Sequence, residues 1–199
     1  FEVNEYHCSA AISACEKAGQ WQAALDVLNE MLQEGGARPN AFCYSAAISA
    51  CERGGQCERA LELFEGMQHS DVAPNHFCYS AAMRACARAR RWQKALHYLD
   101  QMSAHEVWPN VHSYTAAISA CHRGGQWQVA IHLLSEMRRW QLVPDVVAYS
   151  AAVSACEASG KWQQAFNLLS VMRAAGVAPN SVTYNAVLGA CERGARWAE

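Results

Sequence analysis

With 199 residues, 52% of them hydrophobic, the chain has enough apolar surface to bury a core and is not a disordered segment. Its 16 basic and 18 acidic residues give a formal charge of -2, so no global positive field draws it to nucleic acid. No apolar run approaches the ~18 residues needed to cross a bilayer, so a soluble chain without membrane insertion is expected. The start, Phe1-Glu2-Val3-Asn4, has neither an initiator Met nor a signal-peptide layout, and the sequence ends at Glu199, just where preceding copies begin a helix. A piece of a longer protein is therefore expected.

Internal repetition organises the chain. Pro39, Pro74, Pro109, Pro144 and Pro179 are each followed by Asn or Asp, and five residues beyond each stands Tyr44, Tyr79, Tyr114, Tyr149 or Tyr184, always at intervals of 35. The copies run 5–40, 41–75, 76–110, 111–145 and 146–180, with a partial copy at 181–199. The first carries one extra residue in its Gly35-Gly36-Ala37-Arg38 linker, which displaces Cys8 and Cys15 from the later frame. In the copy 41–75, Tyr44, Ala47, Ile48 and Cys51 lie at helical spacing and predict a first helix, closed by Gly54-Gly55 as a left-handed cap. Gly19, Gly124-Gly125 and Gly160 repeat that stop, and the third copy departs from it with Ala89-Arg90-Arg91. A second helix runs from the Trp to the Met position, as in Trp127, Ala130, Ile131, Leu134 and Met137, and Pro144 ends its tail.

Neither helix of such a pair can bury its stripe alone, so the pairs must stack. The expected fold is all-α: an α-solenoid of tandem helix-turn-helix units, wound as a right-handed superhelix of five copies and part of a sixth. The column Trp21, Trp92, Trp127, Trp162 and Trp197, interrupted by Cys57, is expected to be core between copies, as is the Met column. Cys51, Cys86, Cys121, Cys156 and Cys191 recur at the same interval, which marks packing thiols rather than a disulfide framework. No Cys-x-x-Cys pair and no histidine ligand spacing suggests a metal or other cofactor, and a reducing compartment is expected.

On the face opposite Tyr44, Ile48 and Cys51 lie Phe42, Ser45, Ser49 and Arg53, and three columns emerge there. One is basic: Lys17, Arg53, Arg88, Arg123 and Arg193, with Ala158 the gap. Such a ribbon could attract phosphates on a neutral chain, and it is also what helix C-terminal ends favour. The next, Tyr6, Phe42, Phe77, His112, Val147 and Val182, suits stacking on bases or fixing how the chain enters each helix. The last pairs Ser9, Ser45, Ser80, Thr115, Ser150 and Asn185 with the residues that close each copy, Asn40, Asn75, Asn110, Asp145 and Asn180. An Asn or Asp after Pro also suits a turn and a helix cap.

Pro-Asn-x-x-x-Tyr-Ser, Gly-Gly after the first helix, Trp-x-x-Ala-Leu, the terminal Met and Gly-Val-x-Pro-Asn together resemble pentatricopeptide repeats over nearly the whole chain. The period of 35 separates them from the 34-residue tetratricopeptide array. The resemblance implies an organellar RNA-binding protein, of the mitochondrion or chloroplast, that reads one base of single-stranded RNA per repeat with two side chains. Carried residue by residue, it pairs Ser9 with Asn40, Ser45 with Asn75, Ser80 with Asn110, Thr115 with Asp145 and Ser150 with Asn180. Ser with Asn implies adenine and Thr with Asp implies guanine, giving 5′-AAAGA-3′, with a following pyrimidine from Asn185. The stacking and basic columns would support these contacts.

A non-catalytic RNA-binding adaptor is the leading expectation, acting in RNA protection, processing or translation, with other proteins of a ribonucleoprotein as further partners. No Ser-His-Asp arrangement, phosphate loop or paired carboxylates suggests an enzyme. The alternative is a protein-binding scaffold or structural subunit of a large organellar assembly such as a ribosome.

Overall fold

The computed structural model describes residues 5–33 and 38–194. Among these, helices follow one another as α1 (Glu5–Lys17), α2 (Trp21–Gln33), α3 (Ala41–Arg53), α4 (Cys57–Gln68), α5 (His76–Arg88) and α6 (Trp92–Ala104). They continue as α7 (Val111–Arg123), α8 (Trp127–Arg139), α9 (Val146–Ala158), α10 (Trp162–Ala174) and α11 (Ser181–Gly194). The chain is an all-α helical repeat solenoid.

Two layers form, and their chemistry differs. Each odd-numbered helix packs on the odd helices before and after it and on its even neighbours. The sequence Ser-Ala-Ala-Ile-Ser-Ala-Cys makes this possible, because Ala46, Ala47, Ala50 and Cys51 are buried and small enough for backbones to approach closely. Even helices stand farther apart and reach one another with long side chains: Lys94 pairs with Glu65, and Gln68 Nε2 donates to Gln101 Oε1 at 3.2 Å. The tighter odd layer is therefore the inner, concave one.

The core runs along the seam between layers. Met31, Met67, Met102, Met137 and Met172 are buried, as are Tyr44, Tyr79, Tyr114 and Tyr149. Phe64 packs edge-on against Tyr79 and Tyr98 with centroids 5.0 and 4.9 Å apart. The periodic thiols belong to this core, and burial pushes Cys51, Cys121 and Cys156 up to about 11 and Cys86 up to about 12. The tryptophans were expected to be core and are not fully so: Trp21, Trp92 and Trp127 are half-buried and Trp162 is 40% exposed. Trp197 and the linker residues Gly35, Gly36 and Ala37 lie outside the described residues.

The reason lies in what the indoles touch. Each stands at the start of an even helix and lies on the end of the following odd helix: a Cβ on Gly54 would come 2.4 Å from Trp21 Cδ1, one on Gly124 2.3 Å from Trp92 Cδ1, and one on Gly194 2.6 Å from Trp162 Cδ1. Gly54 thus leaves room for the neighbouring indole and is not required by its own backbone, whose φ of -72° is open to any residue. The left-handed cap falls one residue later, at Gly55 with φ +76°. There the Gln56 N–H donates to Cys51 O at 2.8 Å, a closure repeated at Gln20 on Cys15, Arg91 on Cys86, Gln126 on Cys121 and Lys161 on Cys156. In the departing turn, Arg90 takes the left-handed place itself, with φ 57°. Ala89 stands where Gly54 and Gly124 do, and the residue that would press on it is Cys57 instead of Trp. Cys57 and Ala89 thus depart from the pattern together, whereas Ser159 keeps a side chain at the same place opposite Trp127.

Candidate nucleic-acid interface

Each Pro-Asn or Pro-Asp pair delivers an extended residue to the start of an odd helix, and that residue caps it. Asn40 (φ -104°, ψ 177°) accepts through Oδ1 from the N–H groups of Phe42 and Cys43 at 3.0 and 3.1 Å. Asn75 does the same for Phe77 and Cys78, both at 3.0 Å. Asn110 accepts from the Ser113 N–H at 3.0 Å, and Ser113 Oγ accepts from the Asn110 N–H at 2.8 Å, a complete capping box. Asp145 Oδ1 accepts from the Ala148 N–H at 2.8 Å, and Asn180 Oδ1 from the Thr183 N–H and hydroxyl, both at 2.9 Å.

The caps fix the orientation of each amide. Only an oxygen can accept from a backbone N–H, so in every capping Asn the oxygen turns inward and the NH₂, a pure donor, is left over. In Asp145 the remaining atom is Oδ2, a pure acceptor.

The paired hydroxyls sit deeper than a surface column would. Ser9, Ser45 and Thr115 are half-buried and Ser80 and Ser150 are buried, because each lies where one odd helix meets the next, whereas Asn185 on α11 is exposed. Ser9, Ser45 and Thr115 donate to Tyr6 O, Phe42 O and Val111 O at 3.0, 3.0 and 2.7 Å, which leaves their lone pairs as acceptors. Ser150 Oγ reaches Asn180 Oδ1 at 3.5 Å and Thr183 Oγ1 at 2.8 Å, so that pair is brought into direct contact. Among the described residues the other four pairs make no hydrogen bond to each other. Ser80 Oγ is buried with no hydrogen-bond partner.

The next column is solvent-facing. Tyr6, Phe42, Phe77, Val147 and Val182 are more than half exposed, and His112 is exposed as well.

The basic column corrects an expectation. Its members occupy the last turns of successive odd helices and are exposed, but the ribbon is largely neutralised. Arg53 pairs with Glu16 at 3.6 Å, Arg88 with Glu52 at 2.6 Å and Arg193 with Glu157 at 3.7 Å, each carboxylate coming from the preceding odd helix. Lys17 and Arg123 make no ion pair among the described residues. His122 stands in the carboxylate's place on α7; burial pulls its imidazole below the usual histidine range and Nδ1 has no hydrogen-bond partner. The glutamates were visible in the sequence one residue before the basic-column position, Glu157 before its gap at Ala158, but their pairing depends on the register between neighbouring helices.

Sequence reasoning also missed Arg84, whose Nε meets Glu52 at 3.3 Å and whose Nη2 donates to Ser49 Oγ at 3.0 Å. Its signal was a lone Arg where other copies carry Ser13, Ser49, Ser119, Ser154 and Gly189. Another unread residue is Trp108, 74% exposed, which with Asn75, His76, Glu106 and Asn110 lines a cavity of about 410 Å³ at the edge of the odd layer.

Comparison with known proteins adds to this geometry. A family model for the pentacotripeptide-repeat region of PRORP matches residues 38–196, and one for the PPR repeat matches residues 6–36. No curated protein matches the chain. Among solved structures it is similar to the pentatricopeptide repeat protein PPR10 in complex with an 18-nt psaJ RNA element, at 29% identity and a TM-score of 0.80 over 96% of this chain. It spans 28% of the length of that PPR10 chain. The structure of PPR10 from maize matches at 26% identity and a TM-score of 0.68, over 98% of this chain and 28% of that one. The PPR domain of Arabidopsis thaliana protein-only RNase P 1 in complex with tRNA shares the fold at 18% identity, with a TM-score of 0.79 over 94% of this chain and 98% of that one.

Proposed function

This chain belongs to the pentatricopeptide-repeat family, and from that premise we propose that it binds single-stranded RNA along its odd helices, reading one base per repeat without catalysing a reaction. The observation that carries the reading is the fixed polarity of the caps. The NH₂ left over on Asn40 and Asn75, together with the hydroxyl oxygens of Ser9 and Ser45, would offer a base one donor and one acceptor. Adenine's pairing edge needs that combination: its N1 accepts and its exocyclic amine donates. Asp145, with Oδ2 free, offers an acceptor to guanine's N–H donors.

The exposed rings of Tyr6, Phe42 and Phe77, with His112, Val147 and Val182, would sandwich successive bases, and the similarity to PPR10, which was solved with RNA, points the same way. The favoured site is 5′-AAAGA-3′, followed by a pyrimidine at Asn185. The role is protection, processing or translation of RNA in a mitochondrion or chloroplast, an assignment supported by family resemblance.

The test is filter binding of the purified chain to 5′-AAAGA-3′ RNA and to a pyrimidine pentamer across a salt series. About tenfold preference for the first, with affinity falling as salt rises, is expected. Equal affinity for both, or none for either, would refute the reading.

A further inference from the structure

Charge on the inner surface is uneven, and the unevenness is built. Along the odd helices the position before the basic column reads Glu16, Glu52, Ala87, His122 and Glu157. Where a glutamate stands, the cation one helix further on turns to it: Arg53 to Glu16, Arg88 to Glu52, Arg193 to Glu157. At Ala87 that carboxylate is absent, and Arg123 on α7, which packs directly on α5, has no anionic partner among the described residues. The same stretch gains Arg84. Two guanidiniums on α5 therefore share one carboxylate, Glu52 on α3, which is only 4% exposed, while Arg123 on the next odd helix has none among the described residues.

Glu52 orients Arg84 and Arg88 without saturating them. Each guanidinium carries five N–H donors, and the two side chains remain 42% and 48% exposed. Ser49 Oγ fixes Arg84 from the other side. Paired arginines steadied by a buried acid, beside an unpaired third, make a fork suited to a phosphate.

We propose that the RNA backbone is anchored at this one centre, by phosphate held among Arg84, Arg88 and Arg123, with Glu52 as a positioning residue. Glu16 and Glu157 keep Arg53 and Arg193 from contributing equally. The inference rests on the RNA reading above and departs from it in replacing an even ribbon by a local anchor, one that includes a residue outside the repeating column.

The test measures binding of the whole chain to two probes, fluorescent 5′-AAAGA-3′ RNA and inorganic polyphosphate, which has no bases. Arg84→Ser and Arg123→Ala should each weaken both probes about tenfold and reduce the RNA salt slope by about 0.7. Ala87→Glu, which restores the missing carboxylate opposite Arg123, should do the same, whereas Arg53→Ala and Arg193→Ala should change either affinity less than about twofold. Circular dichroism melts are to check that each variant is folded, and the two Arg→Ala controls, at 56% and 59% exposed, are no more buried than Arg84 and Arg88. Equal losses along the whole column would overturn the anchor and leave RNA binding standing. The expected pattern on polyphosphate without RNA binding would sustain the anchor and sink the RNA reading. Wild-type chain that binds neither probe overturns both.

Discussion

At Asn75 one atom of the side chain serves the fold and the other serves the surface, and the two duties can be separated. Serine caps helices as well as asparagine does but has no amide. Asn75→Ser should therefore leave unfolding free energy within about 0.5 kcal/mol of wild type, while Asn75→Ala should cost about 1 kcal/mol. Both should lose adenine preference at the second base, as read by competition with an RNA changed only there. Backbone strain makes a separate prediction: Arg90 sits at φ 57° where other turns have glycine, so Arg90→Gly should raise stability by about 1 kcal/mol in chemical denaturation. The sequence showed that an Asn or Asp closes each copy and suits a cap. Which of its atoms turns inward could not be read there, because that depends on helix N–H groups that exist only once the next helix has formed.

Among the helices, the periodic stripes and the Pro and Gly punctuation made pairing and stacking legible, since they are local consequences of helical spacing. The tryptophan seam was not, because its partner is the end of the following odd helix, some thirty residues away. The Gly-Gly motif concealed two requirements, room for an indole at Gly54 and a left-handed backbone at Gly55. If Cys57 and Ala89 compensate each other, Cys57→Trp alone should destabilise the chain by about 1–3 kcal/mol through overpacking. Adding Ala89→Gly should recover most of that loss, and a double-mutant cycle by equilibrium unfolding measures the coupling. Additive effects would show the two sites to be independent. Ion pairing between odd helices was hidden for the same reason as the seam: Glu52 and Arg88 are adjacent only in the stacked array.

For the whole molecule, a formal charge of -2 concealed a surface on which cations and carboxylates alternate and then fall out of balance at α5 and α7. The periodic cysteines, by contrast, announced the core they line. Burial raises the thiols of Cys51, Cys78, Cys121 and Cys156 from 9.0 to about 11 and that of Cys86 to about 12. A raised acid keeps its proton more firmly in the folded chain, so this contribution is fully present below pH 9.0 and is lost as pH climbs through about 11. Urea midpoints should be flat from about pH 7 to 8.5 and fall steeply above about 9, and replacing Cys121 and Cys156 by Ala should shallow that fall.

In the proposed base reading a cap fixes which atom each repeat offers to its base, and Asp145→Asn is the sharpest probe of this because it keeps the cap and changes only the outward atom from acceptor to donor. Dissociation constants for 5′-AAAGA-3′ and 5′-AAAAA-3′ should exchange rank, with the variant favouring adenine at the fourth position by about tenfold where wild type favours guanine. A variant that is as stable as wild type and still prefers guanine there would overturn the assignment of Asp145 to base reading.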